Sequence, residues 1–223
     1  LLASSSVLVA ELETILGKLG FIAMVCRGGR AYLQRLRAHL NNCLRNGMRR
    51  TTLGQGALAD LEWWRRTLSS DVVGSPICMM DDLPTVIPMK SDASGSIGFG
   101  YQFGDVMHFS RFSDDTAADE HINYKEMLAL VHLAEEYGQL LTGKVLRCGV
   151  DNSSVVFNVL RGASACPATQ ALLRRLADAQ CLHNFEIICS HVSREYNEVA
   201  DLLTRFARLQ EFDAFLPSTV ALG

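Results

Sequence analysis

The sequence predicts an α/β fold in which a mixed five-stranded sheet is flanked by helices and preceded by an all-helical N-terminal segment. Up to about residue 69, apolar residues recur at helical spacing. From residue 85 onward, short apolar or alternating segments indicate strands with helices between them, in the order βββαβααβα. A meander followed by crossovers is typical of a mixed sheet with helices on its faces. The predicted boundaries are a helical segment at 1–70, a linker at 71–84, a sheet domain at 85–210 and a tail at 211–223.

Three helices are predicted in the N-terminal segment. The first carries apolar residues from Leu8 to Leu19, the second follows the Arg27–Arg30 break, and the third covers Gly56–Leu68. In the sheet domain, Gly104 and Asp105 form a predicted hairpin turn. The further predicted elements are strands at Val86–Asp92, Ile97–Phe103, Val106–Phe109, Lys144–Val150 and Phe185–Ser190, and helices at Asn123–Leu141, from Asp151, at Pro167–Leu182 and from about Asn197.

Composition places the chain among ordinary globular proteins, because 48% of its 223 residues are hydrophobic and its charges are mixed. The most apolar N-terminal stretch is interrupted by Glu11, Glu13 and Lys18, which argues against a membrane span or a signal peptide. The cysteine count of seven is odd and shows no CxxC spacing, which favours buried thiols in a reducing compartment over disulfides or a zinc knuckle. We therefore expect no membrane partner and an intracellular location, cytoplasmic or nuclear. Because the sequence begins with Leu1, we expect a fragment of a longer polypeptide.

Charge is unevenly distributed along the chain. Up to residue 70 there are ten basic and four acidic residues, a net charge of +6, whereas the remainder has 11 basic and 20 acidic residues, a net charge of −9. A basic arm beside an acidic body suits nucleic-acid binding next to a metal site. Arginines that merely solvate helix faces explain the same pattern equally well.

Two aspartates follow predicted strands. Asp92 ends the first strand and Asp151 ends the fourth. If the Asn123–Leu141 helix is a right-handed crossover, these strands are parallel and both aspartates lie at one sheet edge, where ligand sites form. Taken singly, Asp92 could be a turn residue and Asp151 a helix N-cap.

A third carboxylate, Glu126, is placed by helical geometry. It falls on the apolar face formed by Met127, Leu130, Leu133, Ala134 and Tyr137, whereas Lys125, His132, Glu135 and Glu136 are predicted on the solvated face. A buried glutamate is costly unless a cation compensates it, although a first-turn Glu is also favoured by the helix dipole. Asp201 taken alone is interpreted as a solvated helix acid. Four convergent carboxylates are a site for Mg²⁺, and two ions could activate water and stabilise both oxygens of an in-line displacement at phosphorus.

The order of Asp92, Glu126, Asp151 and Asp201 resembles the D-E-D-D set of ribonuclease H domains. Asn123 matches the family's N-x-x-E pattern, and the segment His191–Asp201 resembles the H-x-P-G-x-x-N-x-x-A-D signature of retroelement ribonucleases H, with Ser193 and Arg194 replacing Pro-Gly. The N-terminal helices resemble the thumb or connection region of DIRS-like retrotransposon reverse transcriptases, including a D-L-x-W-W motif at Asp60–Trp64. No Y-x-D-D polymerase motif occurs in this sequence.

The resemblance implies a ribonuclease H that cuts the RNA strand of RNA–DNA hybrids with two Mg²⁺ ions, Mn²⁺ being possible. The chain would act as part of a reverse transcriptase polyprotein. Asp92 would bridge both ions, with Glu126 and Asp151 on one and Asp201 on the other, and His191 would assist proton transfer or product release. The arginines of the helical arm would contact phosphates, which predicts steep salt dependence. Substrate contacts are assigned to Ser94, Gly95, Asn123, Asn152 and Asn197.

Three alternatives stay open from the sequence. The domain could be a catalytically inactive connection within a reverse transcriptase. It could also be a transposase or integrase that uses Asp92, Asp151 and Glu186, although that class places its glutamate on a helix and Glu186 is predicted on a strand. An actin-like phosphotransferase could cradle phosphate with the loop 92–95, but the chain has no second loop of this kind.

Overall fold

A computed structural model describes residues 6–69, 85–114, 116, 120–193, 197 and 204. The described residues form two compact units, one within Leu1–Leu83 and Arg161–Leu182, the other within Pro84–Leu160 and His183–Gly223. Residues 161–182 thus pack with the N-terminal helices, while the predicted domain boundaries stay a prediction. The predicted linker and tail lie outside the described residues, as does the predicted last helix apart from Asn197 and the helical Thr204.

The secondary structure follows the predicted order closely. The described chain also contains 3₁₀ turns at Gly29–Tyr32 and Gly138–Leu141. In chain order the elements are β1 (Val7–Leu8), α1 (Val9–Ile22), α2 (Gln34–Arg45), β2 (Arg50–Thr51), α3 (Gln55–Leu68), β3 (Val86–Ala93), β4 (Gly98–Phe103), β5 (Val106–Arg111), α4 (Ile122–Tyr137), β6 (Val145–Val150), α5 (Ser153–Arg161), α6 (Pro167–His183) and β7 (Glu186–His191).

The three predicted N-terminal helices are confirmed as α1, α2 and α3, and two short strands accompany them. β1 and β2 pair antiparallel with Val7 opposite Thr51. The prediction that Leu8 lies on the buried face of the first helix is wrong, because Leu8 ends β1 and is 38% exposed. A two-residue ladder shows no hydrophobic period, so the sequence could not indicate it.

The helical unit is held together around a buried carboxylate on α3. Asp60 has no solvent exposure and accepts two hydrogen bonds from the Arg35 guanidinium, with N–O distances of 2.9 and 2.6 Å. The Nε of Arg174, on α6, lies 3.3 Å from the same carboxylate. Two positive charges therefore compensate the buried negative charge of Asp60.

Neighbouring aromatic residues are fixed by a second carboxylate. Asp178 accepts hydrogen bonds from the Tyr32 hydroxyl at 2.6 Å and from the Trp63 indole at 3.0 Å. The Tyr32 and Trp63 rings are stacked with their centroids 4.1 Å apart. The D-L-x-W-W segment thus supplies the packing centre of this unit.

The second unit contains the mixed sheet that the sequence predicts. Among the described residues this sheet has five strands in the order β5-β4-β3-β6-β7. β4 pairs antiparallel with β3 and β5, whereas β6 pairs parallel with β3 and β7. The predicted fold class is therefore confirmed. Gly104, with φ of +53°, makes the predicted turn between β4 and β5.

Helix α4 covers the sheet at β3 and β4. The predicted apolar face is buried, since Met127, Leu130 and Leu133 have no solvent exposure. The α-helix ends at Tyr137, and the chain reaches Leu141 through the 3₁₀ turn. No helix in the described part of the chain is both long enough and apolar enough to span a membrane.

Candidate metal centre

The parallel pairing of β3 and β6 brings the first two carboxylates together, as predicted. Ser91 on β3 pairs with Val150 on β6, so Asp92 and Asp151 follow directly at the same edge of the sheet. Asp92 is the penultimate residue of β3, and Asp151 comes immediately after β6. Both side chains are half-buried.

Glu126 completes a cluster of three carboxylates from three elements. It lies on α4, which packs on β3, and it is only 6% exposed. Ligand oxygens of Asp92, Glu126 and Asp151 all lie within 4.8 Å of one another. Asp201 lies outside the described residues, so its membership in the cluster stays a prediction.

The electrostatics of Glu126 fit a cation site. Burial raises the pKa of its carboxyl to about 7, the negative charges of Asp151 and Asp92 also raise it, and the Asn152 amide lowers it. The buried Oε2 atom has no hydrogen-bond partner within the described part of the chain. Hard oxygen ligands with an excess of negative charge are the donor set that Mg²⁺ prefers. The residues present therefore fit a divalent cation.

The Asp92 carboxylate is oriented by a residue that the sequence did not identify as functional. The Thr204 hydroxyl donates a hydrogen bond of 3.0 Å to Oδ2 of Asp92, and Thr204 is only 4% exposed. Thr204 follows Asp201 by three residues in a segment predicted as helix. Residues at this spacing lie on the same helix face, and this was the only sign in the sequence that Thr204 lies near the carboxylates.

Asn197, predicted to contact substrate, occupies a different kind of position. Its side chain has no solvent exposure, and its Nδ2 donates a hydrogen bond of 2.9 Å to the carbonyl of Ser91. This geometry gives Asn197 a positioning role next to Asp92 and leaves no exposed atom of its side chain for substrate. The spacing could not reveal this burial, because it depends on tertiary contact.

Two predicted substrate residues hydrogen-bond to each other beside the carboxylates. Asn152 Nδ2 donates to Asn123 Oδ1 at 2.8 Å. Asn152 Oδ1 accepts from the backbone N–H groups of Ser154 and Val155 at 2.9 and 3.4 Å, so it also caps α5. Both asparagines are half-buried.

The predicted contacts at Ser94 and Gly95 fall in the turn between β3 and β4. The Ser94 hydroxyl accepts from the backbone N–H groups of Ile97 and Gly98, and the Ser94 N–H donates to the Gly98 carbonyl. The hydroxyl and the backbone N–H of Ser94 are therefore both used inside the turn, although these are the groups that could contact a substrate. Gly95 is exposed, and its assignment to substrate binding stays a prediction.

Lys125 corrects the prediction for the solvated face of α4. It is 3% exposed, its Nζ donates to the Gly95 carbonyl at 2.5 Å, and it lies 5.5 Å from the centre of the Phe112 ring. A long side chain can fold back over the helix and bury its stem, so residue spacing alone placed Lys125 wrongly. It links α4 to the β3–β4 turn.

His191 ends β7 at the same sheet edge. It pairs with Val150, the residue before Asp151, and its side chain is exposed. An exposed histidine at the edge that carries the carboxylates is consistent with the predicted role, which stays a prediction.

Replacement of Glu126 by Gln is expected to stabilise the protein when divalent cations are absent. Because folding raises the Glu126 pKa from 4.5 to about 7, the folded state binds the proton more tightly between these values. Wild-type stability should therefore fall as pH rises through this window, by roughly 1–3 kcal/mol, and stay low above it. Urea unfolding in EDTA at pH 5 and pH 8 should show this fall in the wild type and lose it in Glu126→Gln. An equal fall in the free energy of unfolding of both proteins would contradict the attribution of this pH dependence to Glu126.

Replacement of Thr204 by Val, which removes the hydroxyl but keeps the shape, is expected to weaken Mg²⁺ binding roughly tenfold. Thr204→Ser retains the hydroxyl and should bind Mg²⁺ within about twofold of wild type, because the bond to Asp92 persists. Isothermal titration with Mg²⁺ measures both. Equal Mg²⁺ affinities in the two variants would show that the hydroxyl does not orient Asp92.

Several solved structures are similar to this chain. No protein-family model and no curated protein matches the sequence. The RNase H1 structure from the halophilic archaeon Halobacterium salinarum is 18% identical, covers 55% of this chain and 97% of its own, and gives a TM-score of 0.45. LC11-RNase H1 in complex with an RNA/DNA hybrid is 18% identical over 53% of this chain and 91% of its own, with a TM-score of 0.43.

A larger protein is also among the similar structures. The foamy viral protease-reverse transcriptase in complex with an RNA/DNA hybrid is 14% identical, covers 72% of this chain and 27% of its own, and gives a TM-score of 0.38. At such identities the functions named for these proteins do not carry over by similarity alone.

Proposed function

We propose that this chain is a ribonuclease H-type endonuclease that hydrolyses the RNA strand of RNA–DNA hybrids as part of a retroelement reverse transcriptase. The observation that carries the proposal is the cluster of Asp92, Glu126 and Asp151, whose ligand oxygens lie within 4.8 Å at one sheet edge. The retroelement origin, of DIRS-like type, rests on the sequence resemblance. The proposal places the activity inside the cell, in the cytoplasm or nucleus.

The three carboxylates would hold divalent cations, two Mg²⁺ or Mn²⁺ ions, with Asp201 as a fourth ligand. Asn197 and Thr204 flank Asp201 in sequence and both hydrogen-bond to β3, at Ser91 and Asp92, which supports including Asp201. When bound, such ions activate a water molecule and stabilise the charge that develops on the phosphate.

The chain's own residues would orient and discriminate the substrate. Hydrolysis would leave 3′-hydroxyl and 5′-phosphate ends on the RNA, and exposed His191 would move a proton at this edge. Asn123 would contact the ribose, because 2′-hydroxyls distinguish RNA from DNA. The segment 14–59 contains Lys18 and seven arginines but no acidic residue, and these basic residues, apart from Arg35 in its pair with Asp60, would contact phosphates of the hybrid.

The transposase alternative is disfavoured by the position of Glu186. This residue begins β7 and pairs with Val145, the first residue of β6. Because β6 and β7 are parallel, Glu186 lies at the end of the sheet opposite to Asp151.

The alternative of a catalytically inactive connection domain does not explain the Glu126 carboxylate. Its buried Oε2 atom has no hydrogen-bond partner among the described residues, and a domain without a metal site would have no use for such an atom.

A substrate panel tests the proposal. RNA–DNA hybrid, double-stranded DNA, double-stranded RNA and single-stranded RNA, each labelled, would be incubated with Mg²⁺ or Mn²⁺ and with EDTA. We expect metal-dependent cutting of the RNA strand of the hybrid alone. Cutting of double-stranded DNA would favour the transposase class, and no cutting of any substrate by folded protein would favour an inactive domain.

A further inference from the structure

The Asn152–Asn123 hydrogen bond determines which group Asn123 can present to a ligand. Asn152 Oδ1 must be the acceptor, because it faces the backbone N–H groups of Ser154 and Val155 at the start of α5. Its Nδ2 is therefore the group that faces Asn123, and it donates to Asn123 Oδ1 at 2.8 Å. The backbone of α5 thus sets the orientation of both amides.

The Asn123 amide group is left with its donors available. Its Oδ1 accepts from Asn152, and the described residues provide no acceptor for its Nδ2. Asn123 is half-buried in the first turn of α4, one turn before Glu126. Two N–H donors are consequently held near the carboxylate cluster, where they fit a hydrogen-bond acceptor.

We infer that Asn152 is a specificity-determining positioning residue, which holds Asn123 so that its N–H donors face an acceptor on the RNA strand, the ribose 2′-oxygen. This inference rests on the proposed function. An unrestrained asparagine could turn either its carbonyl oxygen or its amino group toward the ligand, whereas the bond to Asn152 keeps the Asn123 oxygen facing Asn152 and the amino group on the other side. Asn152 itself would act through Asn123 rather than by touching substrate.

The test uses the full chain and a cycle of variants. Asn152→Ser keeps a neutral helix cap but is too short to reach Asn123, Asn123→Ala removes the contact itself, and the double variant combines them. Ser153→Ala, next along α5, is the matched control because its exposed side chain has no role in the contact. The measurements are kcat and KM for hybrid cleavage, the Kd for hybrid in EDTA, and the melting temperature.

We expect Asn152→Ser to raise the KM and Kd for hybrid by about 3- to 10-fold, as loss of one hydrogen bond does. Asn123→Ala should have the same effect, and the double variant should be no worse than Asn123→Ala. Hybrids that lack a single 2′-hydroxyl on the RNA strand locate the contact. Wild type should bind less tightly when the 2′-hydroxyl is removed at one particular position, whereas removal at that position should not change the affinity of Asn152→Ser or Asn123→Ala.

Two outcomes would overturn the inference while leaving the function intact. One is additive effects of the two variants, since independent residues do not share one contact. The other is a melting temperature lowered by Asn152→Ser with KM, Kd and the 2′-deoxy profile unchanged, which would show a structural cap only. A wild-type protein that neither binds nor cuts the hybrid would overturn the proposed function, and this inference with it.

Discussion

Asp92→Asn is expected to reduce hybrid cleavage by about a thousandfold or more while the protein stays folded. The substitution keeps the side-chain shape but removes the negative charge at the end of β3 that faces Glu126 and Asp151. Because cations in such sites contribute several kcal/mol of transition-state stabilisation, weaker cation binding lowers the rate by orders of magnitude. The measurement is the single-turnover rate with saturating hybrid across a range of Mg²⁺ concentrations.

Lys90→Gln is the matched control for Asp92→Asn. Lys90 lies two residues earlier on the same strand, is half-buried, and has no place in the carboxylate cluster. It should retain cleavage within a few-fold, and both variants should keep the wild-type far-ultraviolet circular dichroism spectrum. Cleavage by Asp92→Asn at the wild-type rate would place the active site elsewhere.

Asp60→Asn is expected to destabilise the helical unit by about 3 kcal/mol or more. The variant leaves the Arg174 guanidinium, whose side chain is 12% exposed, without its buried counter-charge, and breaking such a pair costs far more than the pair contributes. Arg35 loses the same partner but is 43% exposed, so water compensates part of its charge. Both tryptophans of the chain, Trp63 and Trp64, lie on α3 in this unit. Tryptophan fluorescence during urea unfolding therefore reports on the helical unit specifically.

Glu62→Gln provides the comparison on the same helix. Glu62 forms an exposed pair with Arg65, at 2.6 Å, and exposed pairs are weak because water and salt screen them. The urea midpoint of Glu62→Gln should match the wild type. Equal midpoints for Asp60→Asn and Glu62→Gln would show that burial of the Asp60 pair has no energetic consequence.

The sequence predicted the sheet and three carboxylates of the site, because each of these features depends on a local pattern. Period-two alternation indicated the hairpin, and the apolar face of the helix placed Glu126 on the buried side. The parallel pairing then followed from one crossover rule, which fixed Asp92 and Asp151 at one edge. Local patterns joined by a handedness rule were therefore sufficient for the core of the site.

What the sequence did not predict depends on tertiary contact. The buried position of Lys125 arises because the β3–β4 turn offers it the Gly95 carbonyl, and that turn is remote in sequence. Asn197 and Thr204 likewise act through β3, more than a hundred residues earlier. Helical spacing assigns a residue to a face but does not identify the partner across it.

Cleavage of an RNA–DNA hybrid labelled on its RNA strand, with Mg²⁺ or Mn²⁺, by wild type and Asp151→Asn tests both the proposed activity and the proposed site. We expect metal-dependent cutting of the RNA by wild type and loss of cutting in the variant, whose fold should be unchanged. Cutting that survives Asp151→Asn would contradict the site, and no cutting by folded wild-type protein with either metal would contradict the activity.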